Sequence, residues 1–369
     1  METITKVSIG GTALPEAGAA RVLSIDVSEA MNAQTQVSIV AMVSVDDVST
    51  WTSPLDPLAE PFAKFEISIV RGKDEDALVV PARATSASWT IQPGGASSMT
   101  IAGLDASVDL DREEKEKSWA GLSDGDIARQ LLAPVGTPRV GTTPPARDES
   151  AAPRQRGTDW AYVKQLAERN QFDVWVTSEN GTATAIFDQV DPLAEPSVTL
   201  DLGYGALGGS ANVTVQLVAG QAVKVTHAVE GQPNQQVAFN DGKGHAMGPR
   251  SLGGAVAVLR HEQDLDGRQT PDDAARIMAE NSAFGATLSI TLAAPETPLV
   301  RARRTAMIRG LGPVLSGLWL IRSVRHAVTP GGHTQTVSLI RNALGDSSSG
   351  AAWGLLGALS GAVSGSISF

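Results

Sequence analysis

The 369-residue chain contains no cysteine, so disulfides, cysteine-ligated zinc and thiol nucleophiles are excluded. Aromatic residues make up only 4% of it, and Ala, Val, Leu and Ile carry the apolar set. Basic charge is also scarce: 29 Lys and Arg stand against 40 Asp and Glu, a formal net charge of -11, with no long basic tract. That argues against gripping nucleic acid by phosphate neutralisation. An acidic wall past which nucleic acid slides stays open. The N-terminus, METITKVSIGG, lacks the apolar stretch of a secretion signal, so synthesis and folding in the cytoplasm are expected.

The templates of catalysis are missing too. GGSANVT (208–214) holds a serine but is not G-x-S-x-G. NDGKGHAMG (240–248) has a lysine among glycines at the wrong spacing for a phosphate loop. The acidic pairs Asp46–Asp47 and Asp272–Asp273 could serve a glycosidase, but a strand end and a first helical turn explain them better. The sequence predicts no catalytic residues, no cofactor and no enzyme.

What is present favours β structure. The length calls for two or three domains, and 37 Gly with 20 Pro suit a protein of many turns. VLSIDVSEA (22–30), QVSIVAMVSV (36–45), KFEISIV (64–70) and ATSASWTIQ (84–92) alternate or are β-branched, which predicts a first tube-like β-barrel domain over 1–105. The charge run DREEKEKSW (111–119) reads as a solvated face or loop. In SDGDIARQLLAPVG, Ser123 is placed to cap a helix that Pro134 stops. Residues 134–157, with five prolines, read as a mobile loop.

Thr158 then caps a helix to about Asn170, with Tyr162, Val163, Leu166 and Ala167 on one apolar face. FDVWV and NGTATAIF predict a hairpin about Asn180-Gly181. Residues 106–196 thus form a small α+β domain. Strand patterns return over 197–345, predicting a second tube-like β-barrel domain with a loop–helix insertion near 231–285. There Thr270 and Pro271 open a helix whose stripe is Ala274, Ile277 and Met278. DPLAEP occurs at 56–61 and again at 191–196, compatible with two related β domains and no more.

Two of the five histidines lie in LSGLWLIRSVRHAVTPGGHTQTVSLIRNA (315–343). With PGG at the turn, Val328 faces His333, His326 faces Gln335 and Val324 faces Val337. Both imidazoles then share a face as diagonal neighbours about 7–8 Å apart, too far for direct pairing. A zinc site needs further ligands, and none is spaced nearby. Arg322, Arg325 and Arg341 on the same hairpin disfavour a cation. The pair reads as surface or interface histidines, and no metal site is expected. His227, His245 and His261 are scattered without a partner motif.

The order of SDGDIARQLL, TDWAYVKQLAERNQF, DDAARIMAENSAF and IRGLGPVLSGLWLIRSVRHAVTPGGHTQTVSLIRN resembles the phage late control protein D family. That family spans baseplate hub proteins of contractile phage tails, related proteins of contractile injection systems, and the hub-like part of VgrG spikes. The resemblance covers roughly residues 100–343. It implies a homotrimeric ring, each chain supplying two tube-like β domains, so that three chains offer six similar faces to a six-fold tail tube. It also implies a location in the baseplate, contact with the tube protein and other baseplate components, and no active-site motif. No spike follows residue 345, so the spike is expected to be a separate polypeptide.

The tail, GAAWGLLGALSGAVSGSISF (350–369), is uncharged and has glycines four apart at 357, 361 and 365. As a membrane span it is thin in large apolar residues. It reads instead as a partner-binding segment of 346–369, anchored by Trp353, Leu355 and Leu356. The alternative to a structural hub is a tail-associated cell-wall hydrolase; an adhesive β module is the third reading.

Overall fold

The structure is a computed structural model and describes residues 3–45, 50–71, 77–92, 95–145, 154–179, 182–202, 210–217, 219–227, 236–240, 246–252, 256–262, 271–293 and 297–345. Trp353, Leu355 and Leu356 lie outside the described residues.

The first part of the chain is β1 (Thr3–Ile9), β2 (Thr12–Ala13), the short helix α1 (Glu16–Ala19), β3 (Val22–Ala30), β4 (Gln36–Val45), β5 (Trp51–Thr52), β6 (Lys64–Arg71), β7 (Ala77–Thr90) and β8 (Ser97–Asp105). Alternation drives these strands. In β8 every second residue is buried, and in β3 Ile25, Val27 and Glu29 point inward. Their apolar faces make one core around Ile39, Ile67, Ile69 and Ile101, all 0% exposed.

The middle comprises β9 (Glu114–Ser118), α2 (Asp124–Leu132), β10 (Thr137–Val140), β11 (Arg154–Thr158), α3 (Asp159–Asn170), β12 (Phe172–Glu179) and β13 (Thr182–Gln189). The helix caps fall where the sequence puts them. Ser123 Oγ accepts from the Asp126 amide at 3.1 Å and Thr158 Oγ1 from the Ala161 amide at 3.1 Å. Gln171, at φ 57°, closes α3 in the left-handed region. Tyr162, Val163, Leu166 and Ala167 are buried together, as expected, against β12 and β13.

Two segments read as irregular are strands. The charge run is solvated, all five residues of β9 being exposed, yet it pairs antiparallel with β11. The expected loop 134–157 contributes β10, which runs parallel to β13 at the edge of a three-stranded sheet, and then β11. An edge strand tolerates Pro138 because one side of it makes no ladder bonds. Residues 146–153 lie outside the described residues.

The last part holds β14 (Val198–Asp201), β15 (Asn212–Val215), β16 (Gln221–His227), β17 (Gln236–Asn240), β18 (Arg250–Ser251), β19 (Val256–Glu262), α4 (Pro271–Ser282), β20 (Ala286–Leu292), β21 (Thr305–Arg309), the short α5 (Gly312–Leu315), β22 (Gly317–Thr329), β23 (Gly332–Arg341) and β24 (Ala343–Leu344). The apolar stripe of α4 is Ala274, Ala275 and Ala279, with Met278 partly buried against it; Ile277, expected in the stripe, is only partly buried and is not part of that core. Small side chains let the helix sit close on β16 and β17.

The two β regions share one 14-stranded sheet, eleven strands of which follow the order β15-β20-β23-β22-β3-β4-β8-β7-β6-β1-β2, while β21 with β14 joins at β22 and β5 joins at β4. The joint is an antiparallel ladder between β3 and β22, from Ala30 opposite Ser323 to Ile25 opposite Val328. The chain is mainly β, as expected. Closed barrels are not found: the strand path ends at β15 and β2 among the described residues. The repeated DPLAEP takes two settings, Leu58 being 1% exposed and Leu193 43%, so the two copies are not structurally equivalent.

Candidate functional site

Paired residues on neighbouring strands share a face, and this puts the β3–β22–β23 region in an unusual position. Ile25 and Val27 belong to the first core, while Val324 and Val337 belong to a second core built around Leu288, Ile308 and Trp319. Between them, on the same buried face, stand Glu29, His326, His333 and Gln335. A polar band therefore separates two apolar cores that lie on one continuous sheet.

A strap, residues 297–303, crosses this band. Leu299 packs into the first core and Val300 into the second. The Val300 amide donates to Gln335 Oε1 at 2.8 Å, and Gln335 Nε2 donates to the Pro298 carbonyl at 2.9 Å. Arg301 grips Glu29 with two bonds of 2.9 Å and reaches the Ala77 carbonyl of β7 at 3.3 Å. Burial pushes the Glu29 carboxyl up, but the Arg301 charge and hydrogen bonds outweigh it, with smaller pulls from His326 and Arg303. Glu29 is held at about 2.

Arg303 ends the strap and ties three parts of the chain together. Its Nε donates to Asp173 Oδ2 of β12 at 2.5 Å, and its Nη2 donates to the carbonyls of Ala30 and Ala33 in the β3–β4 turn at 2.5 and 3.0 Å. The guanidinium lies 5.0 Å from the centre of the Trp175 ring. Asp173 Oδ1 in turn accepts from the Asn32 amide at 3.0 Å. Side-chain exposures of 3% for Arg303 and 2% for Asp173 make this a buried ion pair. Arg303 and Asn32 both sit at positive φ, 66° and 58°, a conformation held by the bonds around it. Above the clasp opens a groove of about 980 Å³ lined by Arg139, Trp175, Glu195 and Arg304 beside the two ion pairs.

The hairpin register is the expected one: Val328 faces His333, His326 faces Gln335 and Val324 faces Val337. The side chains depart from expectation. His326 and His333 are 0% and 6% exposed, and His326 Nδ1 lies 3.2 Å from His333 Nε2. They are paired core groups, not surface ornaments, because the ring lengths close the diagonal gap that backbone spacing leaves. One ring must donate and the other accept. Glu29 Oε2 lies 4.0 Å from the far side of His326. The side chains of His227, His245 and His261 lie outside the described set. Among the described residues, no group of three or more His, Asp or Glu side chains could hold a metal ion.

Arg341, a residue counted against a cation, is itself 0% exposed. It donates to the Ser316 carbonyl at 3.0 Å, the Met247 carbonyl at 3.1 Å and the Gly345 carbonyl. The place where the tail begins is thereby fixed to the second core. Among the exposed apolar side chains, Trp89 (49%) near the end of β7, Ile91 (44%) just past it and Trp51 (43%) on β5 lie at one end of the first β region.

Periodicity by itself passes over Glu29, Asp173 and Arg303. For Glu29 a signal exists: it occupies the inward phase of β3 after Ile25 and Val27. Arg303, one of three arginines in RARR (301–304), carries no such mark.

No protein-family model and no curated protein sequence matches the chain. Its fold is similar to that of the tail protein from Neisseria meningitidis MC58, at 13% identity and a TM-score of 0.66 over 93% of this chain and 97% of that one. The 43 kDa tail protein of prophage MuSo2 from Shewanella oneidensis is similar at 12% identity and 0.66, over 93% of this chain and all of that one. The c3393 protein of E. coli, a component of the type VI secretion system with structural similarity to the T4 tail proteins gp27 and gp5, matches at 13% identity and 0.58, over 91% and 76%. The chain thus has the fold of phage tail proteins over most of its length.

Proposed function

We propose that the chain is a structural baseplate hub protein of a contractile tail or injection system. Three copies form a ring that adapts a six-fold tail tube to a three-fold spike, leaves a central passage and acts by assembly, not by catalysis. The observation that carries this reading is the end-to-end likeness to tail proteins, 93% of this chain against 97% and 100% of theirs. The continuous sheet supports it, since two β cores joined through one sheet supply the paired walls a trimer needs to face a hexamer. The exposed Trp51, Trp89 and Ile91 supply apolar surface for assembly.

In this reading residues 1–105 and 197–345 are the two tube-like domains, 106–196 the α+β domain between them, and 346–369 a tail that binds the separate spike through Trp353, Leu355 and Leu356. With a net charge of -11, the passage is expected to be acidic. The purified chain is expected to give particles of three times 38.3 kDa by itself, or three copies of it per complex with the tube and spike proteins, and a three-fold ring by electron microscopy. A persistent monomer under both conditions overturns the proposal, as does clearing of a peptidoglycan suspension that one acidic substitution abolishes. A chain ending at Gly345 is expected to form the ring but to lose affinity for the spike; undiminished binding in a pull-down removes the tail's assigned role.

A further inference from the structure

The hub reading leaves unexplained why two buried histidines face each other where the two cores meet. We propose that His326 and His333 form a proton-sensitive latch beneath the strap 297–303. With none or one proton in excess, one imidazole donates and the other accepts across 3.2 Å. With both rings fully protonated, two N–H groups point at each other inside the protein and the rings must part.

The surroundings decide how many protons the pair tolerates. From β3, Glu29 approaches His326 at 4.0 Å and favours one positive charge. From the strap, Arg301 already pairs with Glu29, and Arg303 is paired with Asp173 of β12, so neither of these carboxylates is left to match a second proton, which burial opposes further. β23 contributes His333 itself and the neutral Gln335, and β7 contributes the Ala77 carbonyl that Arg301 reaches. Asp26 and Arg325, paired with each other at 2.7 Å, point to the opposite face of the sheet and are partly exposed. The link to the strap is short. His326 is the cross-strand partner of Gln335, whose amide holds both the Val300 amide and the Pro298 carbonyl. Parting the rings displaces that row and frees the strap from both cores.

The sign follows from proton counting. Parted rings that titrate as ordinary imidazoles, near 6.5, bind two protons below that pH, whereas the latched pair holds at most one. The ratio of latched to released molecules therefore falls about tenfold for each pH step of one below about 6.5.

The test uses the full chain and its His326→Gln/His333→Gln variant, comparing amide hydrogen exchange of the segment 297–303 at pH 7.5 and 5.5 after correction for intrinsic rates. The wild type is expected to lose about tenfold in protection across that interval and the variant to show no pH-dependent loss, which also subtracts the other three histidines. Equal pH dependence in both proteins overturns the proposal. Should the variant fail to fold, imidazole nitrogen spectra of the wild type decide. Entry of the second proton together with loss of strap protection supports the latch. Two fully protonated rings under a still protected strap refute it.

Discussion

Replacing Arg303 with methionine is expected to cost about 3–5 kcal/mol, the scale for breaking a buried ion pair from one side. Methionine keeps much of the hydrocarbon stem, so the loss reports the charge and its bonds more than packing. Asp173, 2% exposed, would keep a carboxylate in the interior with its cationic partner gone. The carbonyls of Ala30 and Ala33 would lose their donor as well. Urea denaturation measures the cost. Arg303→Met/Asp173→Asn, which neutralises both partners, is expected to recover a substantial part of it, because the largest component is the stranded charge. If the single and double variants are equally unstable, the pair is not the clasp described above.

The second large effect is an acid dependence centred on Glu29. A carboxyl held at about 2 against an ordinary value of 4.5 contributes about 3 kcal/mol at neutral pH. Because the folded value is depressed, that stability is fully present above about 4.5 and is lost as pH falls through it toward 2. Asp105 works in the opposite sense. Burial raises it despite hydrogen bonds from Ser107 and Thr35, so its contribution is present in acid and lost as pH rises through its folded value. Comparison of Glu29→Gln with the wild type isolates the Glu29 contribution. The variant is expected to be about 3 kcal/mol less stable at pH 7 and to have a flatter profile between pH 5 and 2. Parallel profiles would show that the Glu29–Arg301 contact does not hold the strap. This window lies below that of the histidine latch, so the two titrations are separable.

Much of the local structure was legible without coordinates, for reasons visible in particular residues. Ser123 and Thr158 cap helices because a hydroxyl at that position satisfies an amide the helix leaves free. The 326–335 pairing follows from where PGG can turn. Local signals fail where they describe composition but not partners. Five prolines in 134–157 concealed β10 and β11, whose ladders depend on β13 and β9 being available to pair. Ile277 matched the helical period as well as Ala275, yet only the alanine is buried, since close approach to β16 selects small side chains.

The sequence by itself determined the β-rich class, the helix caps, the hairpin register and the exclusion of thiol chemistry, all of which rest on residue type or on contacts within about ten positions. Only the tertiary structure decided that β3 pairs with β22, across almost 300 residues, and so brings Glu29, Arg301, His326 and His333 together between two cores. Alternation tells each strand which face to bury and does not say against whom. The free energy that selects the partner comes from burying both faces at once, and that exists only after the chain has closed on itself.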